Sequence, residues 1–377
     1  MKRIPCVIMR GGTSKGIFLK ANNLPREEGE RNRVVMAIFG SPDIRQIDGL
    51  GGADPLTSKL AIIGPSTHPE ADIDYTFAQV GIKQAVIDYS GNCGNISSAV
   101  GPFAIDEGLV RAVEPLTSVR IHNTNTGKIL IAEVEVENGR AKVNGDCRIA
   151  GVPGSGSRIM LNFAGTAGSV TGKLLPTGKV VDRIAASFGE IEASIVDCAN
   201  PMVFVRAKDM GIAGTESPAE IDSNHELCTR LEEIRAKAAV MIGMAENPEQ
   251  ATLKSPAFPM IAMVARPSSY MAFSSGKQIA EDDVSLLSRL MFMQVLHKTY
   301  AGTGTVCTGV AAKIDGSIVS EMVGKTERVA TIRIGHPSGV IDLEVQVEDG
   351  RVVRAAFART ARRIMEGYVF VDDSLRK

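Results

Sequence analysis

The sequence predicts an α+β chain built as two similar halves, and three observations carry that expectation. Short stretches of alternating apolar and polar residues bounded by Gly, Asn or Pro, such as 73–80 and 128–137, read as strands. Fewer segments, such as 26–39 and 226–245, carry the apolar period of a helix. A glycine turn opening a helix at Cys93-Gly94-Asn95 has a counterpart at Ala301-Gly302-Thr303, one in each half. A chain of 377 residues suits two domains of ordinary size, here 1–188 and 189–377, with the terminal segment free to cross back to the first. The Gly-, Ser- and Thr-rich stretch 150–190 leads to the boundary near Gly189.

Taken in chain order, residues 3–10 form a strand running into Gly11-Gly-Thr-Ser-Lys-Gly16, and 17–20 form a second. The loop between them lacks the G-x-x-x-x-G-K-[ST] spacing of a phosphate-binding P-loop. Residues 26–39 read as a helix ended by Gly40-Ser-Pro. A polar, glycine-rich loop, 46–59, leads into the apolar strand 60–63, and further strands follow at 73–80 and 85–88. Ile96, Val100 and Phe103 recur at helical spacing after Cys93. Strands at 118–123, 128–137 and 140–143 carry the hairpin signals Asn125-Thr-Gly127 and Glu137-Asn-Gly139. In the second half, 191–196 and 202–205 are strands around Asp197-Cys-Ala-Asn-Pro201, then comes an amphipathic helix at 226–245 and a strand at 260–264. The Met-rich run 285–296 reads as a long apolar helix continuing to His297-Lys-Thr-Tyr300. Ala301-Gly-Thr-Gly-Thr305 opens another helix, and strands follow at 329–334, 339–347 and 351–358.

Composition removes whole classes of function. The 42 basic and 43 acidic residues nearly cancel, which leaves no electrostatic footprint for nucleic acid or an anionic membrane. No apolar run reaches the roughly 18 residues of a membrane span, and the N-terminus lacks the apolar core of a signal peptide, so a cytoplasmic protein is expected. The six cysteines are scattered without a C-x-x-C pair, and the five histidines show no metal-ligand spacing. Neither a zinc module nor a disulfide framework is expected. The 38 glycines point instead to tight turns and backbone-lined binding loops.

The stretch Ser90-Gly-Asn-Cys-Gly-Asn95 is the centre of the chemistry. A glycine-flanked strand-to-helix turn leaves backbone N–H groups unpaired at the helix start, where they and the helix dipole attract anions, a thiolate included. Cys93 is therefore placed to act as an acid or base with a carboxylate beside it; the alternative is a small buried hydrophobe. Two look-alike halves would bring two such helix starts to one cleft, as a small dicarboxylate requires.

Seven motifs spread nearly end to end sharpen the assignment. They are Met9-Arg-Gly-Gly-Thr-Ser-Lys-Gly16, Gln46-Ile-Asp-Gly-Leu-Gly-Gly52, Thr57-Ser-Lys59, Ser90-Gly-Asn-Cys-Gly-Asn95, Leu175-Pro-Thr-Gly178, Gly335-His-Pro-Ser-Gly339 and Arg359-Thr-Ala-Arg362. With them the chain resembles the family of 2-methylaconitate cis–trans isomerase, 4-oxalomesaconate tautomerase and 3-methylitaconate Δ-isomerase. Segments 54–68, 258–261 and 291–302 look nearest to the methylitaconate branch. The resemblance implies two pseudo-symmetric diaminopimelate epimerase-like domains, each a mixed, mainly antiparallel sheet or barrel around a central helix. Epimerase relatives use one cysteine per half; here the second position resembles Ala301, which argues against two-thiol racemisation. Cys307 and Cys198 are assigned to packing.

The activity so implied is a cofactor-independent allylic proton shift in an unsaturated di- or tricarboxylate. Such a reaction needs a positioned base and fixed donors for the developing charge. The catalytic candidates are Cys93 and Lys59, either of which can be the base; a surface lysine is the ordinary alternative for the second. Thr13, Ser14, Asn92, Gly94 and Asn95 in the first half, and His297, Ala301, Gly302 and Thr303 in the second, are the substrate-binding candidates. Arg359 and Arg362 are candidate carboxylate clamps, with surface pairing the commoner fate, and His336 divides between substrate contact and turn chemistry. No metal is expected, and the partner is a small unsaturated carboxylate, with a homo-oligomer allowed. Competing readings are an amino-acid racemase or epimerase and a non-catalytic carboxylate-binding protein.

Overall fold

Strands β1 (Lys2–Gly11) and β2 (Ser14–Lys20) form an antiparallel hairpin in which Gly11 faces Ser14 across a turn of Gly12 and Thr13. The molecule is described by a computed structural model covering residues 1–324, 330–348 and 350–372. Helix α1 (Glu28–Phe39) follows, its first turn capped by the Glu27 carboxylate, which accepts the N–H groups of Gly29 and Glu30. Gly40 ends it in the left-handed region, φ 68°, a conformation suited to glycine. A parallel pair needs a crossover of this kind, and β3 (Lys59–Pro65) duly runs parallel to β2, with Lys59 beside Gly16.

Strand β4 (Ile73–Val80) pairs antiparallel with β3, placing Gln79 opposite Lys59. After the short β5 (Ile87–Asp88) comes α2 (Gly94–Asp106), then β6 (Leu116–Asn123) parallel to β4, β7 (Lys128–Glu137) antiparallel to β6, and the two-residue β8 (Arg140–Ala141). The strand Ala361–Val371 returns to pair antiparallel along β1, from Lys2 opposite Val371 to Gly11 opposite Ala361. Helix α2 is buried over Gly94–Ile105, its polar residues Asn95, Ser97 and Ser98 confined to the first turns, as suits a helix at the centre of a domain. It packs against β1, β2, β3, β6, β7 and the C-terminal strand, so the sheet curls around it.

The compact unit just described comprises residues 1–148 and 154–161 together with the segment from Arg359. The second unit comprises residues 149–153 and 162–358. The sequence-based division at 188/189 falls within the second unit, inside the hairpin of strands Asp182–Ala186 and Gly189–Cys198.

The second unit repeats the same order of pairings. Strand Gly189–Cys198 is antiparallel to Asn200–Arg206, which is parallel to Met260–Ala265 across helices α3 (Pro218–Asp222), α4 (His225–Met241) and α5 (Pro248–Lys254). Leu286–Phe292 is antiparallel to Met260–Ala265 and parallel to Thr331–His336, and Gly339–Glu348 and Arg351–Arg359 follow as antiparallel neighbours. Helix α6 (Gly302–Ala311) is buried over its whole length and packs on Gly189–Cys198, Asn200–Arg206 and Gly339–Glu348. Helix α7 (Ile318–Val323) follows it. Both units are thus mixed α+β sheets around one buried helix. No helix among the described residues is long and apolar enough to cross a membrane.

One expected element is corrected. The run 285–296 is not a helix but the strand Leu286–Phe292, a two-residue turn and the strand Val295–Leu296. Every residue of Leu286–Phe292 is buried, Ser288 and Arg289 included, so no alternation marks it, and a short, mostly apolar run is equally compatible with either element. Met293 and Gln294 both take positive φ, 55° and 62°, as a tight hairpin turn requires. Residue 329, at the start of the expected strand 329–334, lies outside the described residues.

Candidate active site

In the first unit, the start of α2 gathers the candidates of the first half. Cys93 is the N-cap residue: its extended backbone ends β-type structure, and its Sγ accepts the Ile96 N–H at 3.5 Å. Ser97 Oγ bonds back to Asn92 Oδ1 at 3.2 Å and to the Cys93 carbonyl at 2.9 Å, closing the first turn. Asn92, Gly94 and Asn95 are buried around the half-buried Cys93.

Asn95 ties the β1–β2 turn to this helix start. Its Oδ1 accepts the Thr13 N–H at 3.4 Å and Arg359 Nε–H at 2.9 Å. The approach is close enough that a Cβ at Gly11 would lie 2.5 Å from the Asn95 carbonyl oxygen, and one at Gly12 would collide with Asn95 Oδ1. The glycine pair of the first motif is therefore a requirement of packing against α2. Arg10 holds the turn from behind, its Nη1 donating to the carbonyls of Gly12 at 2.8 Å and Thr360 at 2.9 Å. Ser14, next along, is buried with its Oγ lacking a hydrogen-bond partner.

Lys59 opens β3 and is 2% exposed, which excludes a surface lysine. Its Nζ donates to Gln79 Oε1 at 2.7 Å and lies 5.4 Å from the centre of the Phe77 ring. Burial lowers the Lys59 pKa below the ordinary lysine value, while the charges of Cys93 and then Asp54 work to raise it. Lys59 and Cys93 are therefore within electrostatic reach of each other. Tyr75, on the same side of β4 as Phe77 and Gln79, feels the same sulfur: burial first and then Cys93 hold its phenol well above its usual range.

The glycine-rich loop before Lys59 is scaffolding. Gln46, 1% exposed, donates from Nε2 to Ser41 Oγ and Ser58 Oγ, both at 2.8 Å, and accepts the Ala53 N–H at 2.8 Å. Ser58 in turn donates to the Val80 carbonyl at 2.9 Å. These bonds fix the backbone immediately before Lys59.

The second unit carries the counterpart without the thiol. Ala301 is the N-cap of α6 and its methyl makes no cap hydrogen bond. Thr303 Oγ1 accepts Asn200 Nδ2–H at 2.9 Å, so a residue of the preceding hairpin again reaches the second residue of the central helix. His297 is buried after the tight hairpin; its Nδ1 accepts the Thr299 N–H at 3.2 Å. His336 does likewise for the Ser338 N–H at 3.2 Å, which is turn chemistry. Cys307 and Cys198 are fully buried, and Cys307 Sγ donates to the Val196 carbonyl at 3.2 Å.

Sequence reasoning did not single out Gln79: it has no motif around it, and only its strand register opposite Lys59 reveals it. Arg359, a candidate clamp for which surface pairing was the commoner expectation, is 5% exposed, and burial pulls its pKa down to about 9 against the opposing influence of Cys147. Arg362, by contrast, is exposed.

Comparison with known proteins extends the picture. A family model for PrpF protein matches residues 1–372. The chain is 64% identical to 3-methylitaconate isomerase of Eubacterium barkeri over 370 residues, 98% of this chain and 97% of that protein. A crystal structure of methylitaconate-delta-isomerase superposes with a TM-score of 0.82 at 63% identity, covering 100% of this chain and 97% of the other. A hydroxyproline epimerase from Agrobacterium vitis shares the fold at 12% identity, with a TM-score of 0.56 over 99% of this chain and 94% of its own.

Proposed function

This chain belongs to the PrpF protein family, and on that premise we propose that it is an isomerase interconverting 3-methylitaconate and 2,3-dimethylmaleate by moving one allylic proton. The reading is supported by 64% identity, maintained over 370 residues, to an enzyme named for 3-methylitaconate. The reaction is balanced without oxidant or reductant. The C–H bond at the methyl-bearing carbon beside one carboxylate breaks, its electron pair becomes the new internal double bond, and the former methylene carbon takes up a proton.

The observation that carries the mechanism is a buried lysine under the electrostatic influence of a helix-start cysteine within one unit. In our reading Lys59 in its amine form removes the proton, because burial favours loss of its charge. Cys93 returns a proton to the methylene carbon. The resulting ammonium and thiolate then exchange a proton, directly or through water, to restore the starting state. The reverse reaction exchanges their roles. The N–H groups at the start of α2 and the guanidinium of Arg359, joined through Asn95, receive a carboxylate and the charge that develops on it. The enzyme works in the cytoplasm on a small carboxylate, with Thr13, Ser14, Asn92, Gly94 and Asn95 as further substrate contacts within the first unit.

Incubation with 3-methylitaconate in deuterated water tests both parts. Deuterium is expected at the new methyl group of 2,3-dimethylmaleate. Lys59→Met and Cys93→Ala should each lower kcat by roughly a hundredfold to ten-thousandfold, the usual contribution of general acid–base catalysis. Wild-type turnover in both variants would remove these residues from the mechanism. Turnover of methylaconitate or oxalomesaconate in preference to methylitaconate would replace the substrate.

A further inference from the structure

We propose that Gln79 is a positioning residue for Lys59, a neutral acceptor clamped by the 55–58 turn that aims the amine without stabilising its charge as a carboxylate would. The inference deepens, and rests on, the reading of Lys59 as the acid–base group. The geometry is specific. Gln79 sits opposite Lys59 in the β3–β4 register, and both side chains are almost completely buried, at 1% and 2% exposure. The Gln79 amide nitrogen donates to the Pro55 carbonyl at 3.2 Å and the Ser58 carbonyl at 3.0 Å. Both of its hydrogens are thereby used on backbone acceptors, so the amide cannot turn over. Its oxygen must face the Lys59 Nζ, 2.7 Å away.

Two consequences follow for proton transfer. With Cε on one side, holding one N–H of Lys59 at Gln79 fixes the directions of the other two positions on Nζ, among them the lone pair of the neutral amine. A base aimed in this way needs no reorientation when the substrate arrives. Neutrality matters as much as direction. A carboxylate at this distance would hold Lys59 as an ammonium, unable to accept a proton, whereas a neutral amide oxygen accepts from both forms and favours the ammonium far less. Cys93 at the N-cap of α2 and Asp54 in the preceding loop act on Lys59 in the opposite direction, and burial outweighs both.

The test is the titration of Lys59 itself, followed by NMR in protein labelled with 13C at lysine Cε and assigned from the signal missing in Lys59→Met. Gln79→Glu should raise the midpoint by one unit or more, a tenfold gain in proton affinity, as an adjacent opposite charge does. Gln79→Met, which has similar volume but no acceptor, should lower it. Both variants lose the two bonds to the 55–58 turn, so the sign of the change isolates the acceptor. No movement in either, or movement of both in the same direction, overturns the proposal. If Gln79→Glu fails to fold, Gln79→Met decides alone: a lowered midpoint supports the role and an unchanged one removes it. The pH–rate profile is recorded in parallel. Titration of Lys59 that moves while the profile stays still would overturn the acid–base reading of Lys59 and leave the role of Gln79 intact.

Discussion

Arg359 Nε donates to Asn95 Oδ1 at 2.9 Å, joining the end of the chain's penultimate strand to the second residue of the helix that Cys93 caps. The bond brings a guanidinium that is 5% exposed to the point where backbone N–H groups and the helix dipole already favour an anion.

Replacing Arg359 should therefore affect substrate binding more than chemistry. Arg359→Gln keeps a donor for Asn95 but removes the charge. Its KM for the dicarboxylate should rise on the order of tenfold to a hundredfold, the worth of a hydrogen bond to a charged group, with kcat changed less. Arg359→Lys restores charge without the fork and should recover only part of the loss. Steady-state kinetics decide; an unchanged KM in Arg359→Gln would separate this residue from the substrate.

The buried Lys59 should leave a signature in stability as well as in rate. Its pKa in the folded protein is lowered, so between that value and the unfolded value of about 10.4 the unfolded chain binds more protons. Stability tied to this group therefore increases as pH rises through that window. Below the folded value both states are protonated, and the full cost of burying the ammonium remains. Urea unfolding at a series of neutral to alkaline pH values should show an upward slope in the wild type that Lys59→Met flattens. A slope identical in the two proteins would mean that burial does not lower the pKa of Lys59.

Gly11 tests the seating of the β1–β2 turn on α2. A Cβ there would lie 2.5 Å from the Asn95 carbonyl oxygen and 3.1 Å from the Ile96 Cα, both backbone atoms that yield only if the turn lifts. Gly11→Ala should cost about 1–3 kcal/mol of stability, the usual range for overpacking, and should lower kcat in protein that is still folded. Thermal melting and kinetics on the same preparation separate the two effects. Full activity with wild-type stability would show that this contact is loose.

The local geometry of the candidate site was partly legible from residue types and spacing. Cys93 lies where a glycine-flanked turn must start a helix, and capping is a local property of a few consecutive residues. The counterpart at Ala301 followed from the same local rule. The hairpin at 286–296 was not legible, because its buried strand shows no alternation and its turn residues, Met293 and Gln294, carry no glycine signal. Gln79 escaped for another reason: glutamine has no characteristic spacing, and its role arises only from strand register.

What the sequence by itself determined was the α+β class, the repeated helix-start motif and the resemblance to unsaturated-carboxylate isomerases, and it offered Cys93 and Lys59 as candidates. Those properties rest on neighbouring residues and on motifs whose members lie close together in the chain. Only the tertiary structure decided which polar side chains lose their water together: Lys59 against Gln79, and Arg359 against Asn95 across 264 positions. Desolvation depends on everything that packs around a group, and for Arg359 that includes a C-terminal segment that returns to β1.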